Sequence, residues 1–217
     1  YEAQQDGTLQ AVAEKYGVQA SLVEQPESVF AASEADSDVA YIKDKGTLVV
    51  GITEFAPMDY KDENGNWIGF DADMARLVAE KLGVECEFVV IEWDAKIMEL
   101  DSKSIDVVWN GMTLTDEVKA AMDCSNAYCN NAQVVVVKAD VADQYQDEAS
   151  LADLAFAVEA GSAGKETVEG LGLNFTEVAY QSDALMEVAA GTSDACVIDL
   201  LMAGAMNGEG TGYPDLA

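Results

Sequence analysis

The chain has 217 residues, half of them apolar and only three of them proline, enough sequence to bury about 70% of its unfolded surface in one large domain or two small ones. Eleven basic residues against 41 acidic ones leave a formal net charge of −30, which argues against a nucleic-acid backbone or an anionic membrane surface as partner. There is no histidine, so Ser-His-Asp and Cys-His catalysis and imidazole-held zinc or haem are excluded; no catalytic residue, metal or cofactor is expected. No apolar run reaches the ~20 residues of a membrane-spanning helix and no signal peptide opens the sequence, so direct membrane insertion of this chain is not expected.

In chain order, Leu9, Val12, Ala13 and Tyr16 make a helical stripe that Gly17 stops. Pro26 to Asp38 is rich in Ser, Ala, Glu and Asp, which predicts a solvated linker. A regular rhythm then begins. Thr47 to Ile52 reads as a buried strand, and Asn64-Gly65 as a hairpin turn. Phe70, Met74, Leu77, Val78 and Leu82 share one face of a helix ended by Gly83. Glu85 to Ile91 is a second strand, Asp94 caps a short helix, Ile105 to Trp109 is a third strand, and Thr115 begins another helix. After Val134 to Val137 the pattern repeats, with strands at Phe156–Glu159, Phe175–Tyr180 and Asp194–Ile198. The helices between them start at Gly161-Ser-Ala-Gly164, at a Ser182 cap and at Asp199. Strand and helix alternating at this spacing predict an α/β fold of two consecutive lobes, each a mainly parallel sheet, joined by the apolar run near 133–139.

The four cysteines form no Cys-x-x-Cys pair. Cys86 and Cys196 lie in apolar runs and read as buried free thiols. Cys124 and Cys129 are near enough in sequence to bridge, but spacing alone leaves both states open.

Ligands of open parallel sheets bind beyond the carboxyl ends of the strands. Those positions here hold Phe55, Trp93, Asn110, Gly111, Thr113, Ser162 and Asp199: an aromatic pair, an amide and hydroxyl set, a small-residue helix start and a carboxylate. Such a set suits a small polar, cationic ligand. Each member also has a plainer reading, with Phe55 and Trp93 as core aromatics, Asn110 and Thr113 as turn formers, Ser162 and Asp199 as helix caps. Two look-alikes fail. Gly208, Gly210 and Gly212 follow a helix rather than a strand, and Trp67 stands where a calcium loop begun by Asp62, Asn64 and Asn66 needs glycine.

The blocks Lys45-Gly-Thr-Leu-Val-Val-Gly-Ile, Phe55-Ala-Pro-Met-Asp-Tyr and Asn64-Gly-Asn-Trp-Ile-Gly-Phe-Asp-Ala-Asp resemble extracellular solute-binding proteins of polar amino-acid ABC importers. Ser104-Ile-Asp-Val-Val-Trp-Asn-Gly-Met-Thr-Leu-Thr, Val158-Glu-Ala-Gly-Ser and Gly191-Thr-Ser-Asp-Ala-Cys-Val-Ile-Asp continue the resemblance in family order. It implies a periplasmic-binding-protein fold of two lobes hinged around a ligand cleft, an extracellular or periplasmic location with a lipid-tethered natural parent, and an ABC permease as membrane partner. Phe55 and Trp93 would wall the ligand side chain, Asn110, Gly111 and Thr113 would hydrogen-bond it from the first lobe, Ser162 would meet a carboxylate, and Asp199 would accept the ammonium. Asp6 to Gly17 resembles the family's last helix, placed at the wrong end. This implies residues 1–25 docking on lobe 1, a linker over 26–44, lobe 1 over 45–135 and lobe 2 over 136–217, with the second hinge strand absent. An engineered circular permutant and a cut from a tandem array both fit that order.

The family's arginine clamp for an α-carboxylate falls at Val118, and the one arginine present, Arg76, lies in a helix four residues before Glu80. Either amides and hydroxyls hold the carboxylate or the ligand lacks one. The resulting expectation is a non-enzymatic importer component that captures an amino acid or amine with a positive centre. The alternatives are a dehydratase-like enzyme on the same scaffold and an engineered sensor derived from it.

Overall fold

The computed structural model describes residues 1–26 and 37–217. The stretch 27–36, part of the expected linker, lies outside the described residues. The chain divides into two compact units, the first comprising Tyr1–Ile91 and Lys96–Asn130, the second Glu92–Ala95 and Asn131–Ala217.

The first unit opens with two helices, α1 (Glu2–Gln5) and α2 (Thr8–Lys15), broken at Gly7 with φ of 82°, where a single helix was expected. Helix α3 (Asp38–Lys45) then occupies the last part of the 26–44 linker that the resemblance implied. The correction has a local cause. The Ser37 hydroxyl accepts the Ala40 N–H at 3.2 Å, Ile42 is buried, and Gly46 ends the helix in the left-handed region. One buried side chain in eight residues leaves little periodicity to read.

Strand β1 (Thr47–Ile52) is followed by the hairpin β2 (Tyr60–Lys61) and β3 (Trp67–Ile68), whose turn carries Gly65 at φ of 81°. Next come α4 (Phe70–Leu82), β4 (Glu85–Val90), α5 (Lys96–Asp101), β5 (Val107–Val108) and α6 (Asp116–Ala121). Asp94 lies inside a 3-10 turn, Trp93–Ala95, rather than capping a helix, and the third strand is two residues long rather than five. The sheet order is β4-β1-β5, all parallel. Its core joins Leu48, Val50 and Ile52 to Ile42, Ala75 and Ala79. Each such large aliphatic contributes roughly 1.5–3 kcal/mol by leaving water. Helix α2 packs on α4 through buried Leu9 and Ala13, and Lys15 and Tyr16 reach Asp73 at 2.7 and 2.8 Å. Lys15 is exposed, so the apolar contact sets the docking and the ion pair adds little.

The second unit contains β6 (Gln133–Val137), β7 (Ala155–Glu159), α7 (Ala163–Gly170), β8 (Asn174–Val178), α8 (Gln181–Ala190), β9 (Ala195–Asp199) and α9 (Leu200–Met206). The order is β6-β9-β7-β8, with β6 antiparallel to β9 and the other pairs parallel. Phe156, Val158, Val168, Ala195 and Val197 form its core with Val137, Leu151 and Leu154. Helix α8 starts two residues earlier than read, with Tyr180 at the cap position and Ser182 inside the first turn. The four cysteines are free thiols; Cys196 is buried, while Cys86 is half-buried rather than fully enclosed. Burial pushes the Cys196 thiol up to about 12. Among the described residues no helix is long and apolar enough to cross a membrane.

Candidate functional site

The seven candidate residues fall into two groups, one on each unit. On the first unit, Asn110 follows β5 and is buried at 4% exposure. Its side chain is spent on β1: Oδ1 accepts the Thr53 N–H at 2.9 Å and Nδ2 donates to the Thr53 hydroxyl at 2.7 Å. Gly111, at φ of +60°, donates its N–H to Asp71 Oδ2 at 2.5 Å. A Cβ there would sit 2.9 Å from the Phe55 ring, so the absence of a side chain lets Phe55 pack under the loop. Phe55 is 1% exposed, and its N–H and C=O pair with Asp59 across a tight turn. The structure thus brings Phe55, Asn110 and Gly111 together and leaves Thr113 exposed two residues on. The bonds to Thr53 give Asn110 the turn-forming role, fixing the loop beyond β5.

On the second unit, Ser162 caps α7 by accepting the Lys165 N–H at 3.1 Å and is itself buried. Gly161, at φ of 67°, packs on Asp94: an added Cβ would lie 2.6 Å from Asp94 Oδ1 and 2.8 Å from its Cα. Trp93, the residue before Asp94, is 7% exposed. Gly164 continues the cluster, since its missing side chain leaves room for the Val197 carbonyl, Gln133 Oε1 and Ser162 Oγ.

Asp199 ends β9 and is 6% exposed. It occupies the cap position of α9, but its carboxylate makes no capping bond. Oδ1 instead accepts from Asn131 Nδ2 and, at 2.9 Å, from Gln133 Nε2, while Oδ2 accepts from Gln181 Nε2 at 2.5 Å. The Gln181 Oε1 takes the Asp199 N–H at 2.8 Å, which fixes the orientation of that amide. Burial raises the Asp199 carboxyl above the usual carboxylate range, and the bonds from Gln181, Gln133 and Asn131 oppose the rise. Asp199 is thus a buried carboxylate whose hydrogen-bond donors are the neutral side chains of Asn131, Gln133 and Gln181.

Asn131, Gln133 and Gln181 were not found by sequence reading. The antiparallel register places Gln133 opposite Asp199, a pairing that becomes visible only when β6 is laid against β9. Glu159, buried at the end of β7, accepts the Gln181 N–H at 3.1 Å and extends the polar cluster. Asp59 and Asp71, both fully buried in the first unit, were missed as well. Val118, at the expected clamp position, is buried in α6.

The sequence pattern of bacterial extracellular solute-binding proteins, family 3, matches residues 48–197. The chain belongs to that family. Among its relatives, the L-cystine-binding protein TcyJ of Escherichia coli K12 is 30% identical over 176 residues, covering 75% of this chain and 62% of the relative. The arginine-binding extracellular protein ArtP of Bacillus subtilis is 32% identical over 167 residues, covering 73% and 63%. The chain therefore spans less than two thirds of the length of these relatives. The arginine-bound form of truncated ArgBP from T. maritima matches the fold with a TM-score of 0.76 at 36% identity, covering 82% of this chain and 84% of that one. A second neighbour is an ancestral amino acid-binding protein, AncCDT-1, described as a precursor of cyclohexadienyl dehydratase, with a TM-score of 0.74, 34% identity and coverage of 77% and 76%. The family is extracellular by name, and the two-lobed α/β architecture is that of its solved members.

Proposed function

We propose that this chain is the ligand-capturing component of an amino-acid ABC importer and that its ligand carries a positive centre. The observation that carries the reading is Asp199, a carboxylate buried in a cradle of three neutral amides. In a folded protein such an anion is poised for a cation, because neutral donors offset its desolvation only in part. The names of relatives support the ligand class, since they include arginine-binding and cystine-binding proteins. Asp199 takes the ammonium or guanidinium. Trp93, on the same unit, supplies an aromatic surface. Ser162 and the first amides of α7 meet a carboxylate where the ligand has one. On the first unit, Phe55 and Gly111 fix the loop beyond β5. With valine at position 118, no guanidinium at that place contributes to holding the α-carboxylate.

The handover partner is a membrane permease, and the natural parent is held at the outer membrane face by a lipid tether. The relatives named above are binding proteins, which supports a non-enzymatic role. A thermal-shift panel of arginine, lysine, cystine, a neutral amino acid and glutamate tests the reading. A ligand at 100 times its Kd stabilises by about 2.7 kcal/mol. The expected result is a concentration-dependent rise with a basic amino acid and none with glutamate. No shift with any of the five would overturn the proposal.

A further inference from the structure

We propose that Asp59 and Asp71 form a buried acid pair that holds one proton in the folded first unit and positions the two loops bearing Phe55 and Gly111. Both residues are wholly inaccessible. Neither Asp59 oxygen has a hydrogen-bond partner among the described residues, and neither has Asp71 Oδ1. Asp71 Oδ2 accepts from the Gly111 N–H at 2.5 Å and from the Tyr128 hydroxyl at 3.1 Å. Two donors reach one acid and none reaches the other. The proton therefore belongs on Asp59 and the charge on Asp71, because protonation removes the worse-solvated anion.

The surroundings offer no better neutraliser. Arg76 on α4 contributes attraction from a distance, but its guanidinium is bonded to Asp73 at 3.1 Å and to the Trp67 carbonyl at 2.5 Å and stacks on Phe88. Cys86 on β4, Tyr128 and Cys129 are the other titratable groups facing the pair, and all three are pushed upward by burial, so they stay neutral. The indole N–H of Trp109 makes no hydrogen bond of good geometry among the described residues, yet it favours a charged Asp71. Burial raises Asp71 to about 7 against these donors, and burial followed by the Asp71 charge drives Asp59 well above the carboxylate range. The mechanical connection is direct. Asp59 pairs its backbone with Phe55 through bonds of 2.6 and 2.8 Å, and Asp71 anchors the Gly111 amide. Both are positioning residues, and only their effect on ligand affinity rests on the function proposed above.

A carboxyl raised in the fold keeps a proton that the unfolded chain releases. Its contribution to stability is complete below the unfolded value of about 4 and is lost as pH rises through the folded one. The experiment is urea unfolding of the ligand-free wild type and of Asp59→Asn between pH 4 and 8. The folding constant of the wild type is expected to fall relative to that of the variant by close to tenfold per pH unit while one proton is at issue. A ratio independent of pH would overturn the proposal, as would stability in the wild type that responds to added sodium or calcium instead of protons. If Asp59→Asn does not fold, infrared spectroscopy of the wild type at neutral pH decides, with a protonated-carboxyl band expected in the folded state and its absence contradictory. For positioning, Asp71→Asn is expected to speed hydrogen exchange at Gly111 at least tenfold, and unchanged exchange would refute that role. None of these readouts uses a ligand, so they stand or fall separately from the importer reading. Titration of arginine into Asp71→Asn then reports the coupling, with weaker binding expected and unchanged affinity overturning it.

Discussion

Replacing Asp199 by asparagine removes one charge and two lone-pair sites from a cradle built for an anion. In the wild type Oδ1 faces Asn131 and Gln133 and Oδ2 faces Gln181, all three through N–H donors. An asparagine turns one of those faces into a donor meeting donors. Gln181 cannot rotate freely to accommodate it, because its Oε1 already accepts the Asp199 N–H. The new NH2 therefore faces Asn131 and Gln133, one of which must turn. Loss of a charge-assisted bond in a site of 6% exposure costs about 1–3 kcal/mol of stability. Loss of the anion should cost a cationic ligand about 2 kcal/mol or more, roughly 30-fold in Kd. The pH dependence has a definite sign. Burial raises the Asp199 carboxyl in the free protein, so its contribution to stability declines as pH rises from the usual carboxylate range through the raised value. A bound cation lowers it again, so ligand binding releases a proton and weakens as the pH becomes acidic. Calorimetry of arginine in two buffers of different ionisation enthalpy measures that release. Unchanged arginine affinity in Asp199→Asn, with no proton released by the wild type in mildly acidic buffer, would refute the reasoning.

Three further substitutions test the geometry around the candidate residues. Gly161→Ala places a Cβ 2.6 Å from Asp94 Oδ1 and 2.8 Å from Asp94 Cα at a positive φ, so urea unfolding should show a loss of about 2–4 kcal/mol. Gly111→Ala meets the buried Phe55 ring at 2.9 Å and should cost a similar ~2–4 kcal/mol, again read from denaturant midpoints. Ser162→Ala loses the cap on the Lys165 N–H and should destabilise by about 1 kcal/mol; it should also weaken arginine more than arginine's decarboxylated amine, as measured by calorimetry.

Most strands and long helices were legible because their hydrophobic period was unbroken. Thr47–Ile52 and the stripe on Phe70–Leu82 appear where expected, and β7 and β9 fall within a residue or so of the readings. Elements with one buried anchor were not. Helix α3 buries only Ile42, and β5 shrinks to two residues because Val107 and Val108 alone pair with β1. Asp199 could be picked out because it ends a strand of uniformly apolar residues. Its partners could not, since Asn131, Gln133 and Gln181 are 68, 66 and 18 residues away and meet it through the β6–β9 register and the first turn of α8. The acid pair was hidden for a related reason. Asp59 and Asp71 look like exposed residues beside a hairpin and in a helix's first turn, and only the tertiary fold shows that no water reaches them.

The central claim is that a cationic group, rather than an α-carboxylate, carries the recognition. The net charge of −30 adds long-range attraction for cations, and buried Val118 stands where the resemblance led us to expect the arginine clamp. The direct test is calorimetric titration of the wild-type protein, side by side, with arginine, the decarboxylated amine of arginine and glutamate. The expected result is binding of arginine, retention of the amine within about tenfold, a difference of about 1.4 kcal/mol, and no heat from glutamate. Tightest binding by glutamate, or loss of the amine by far more than tenfold, would contradict the account.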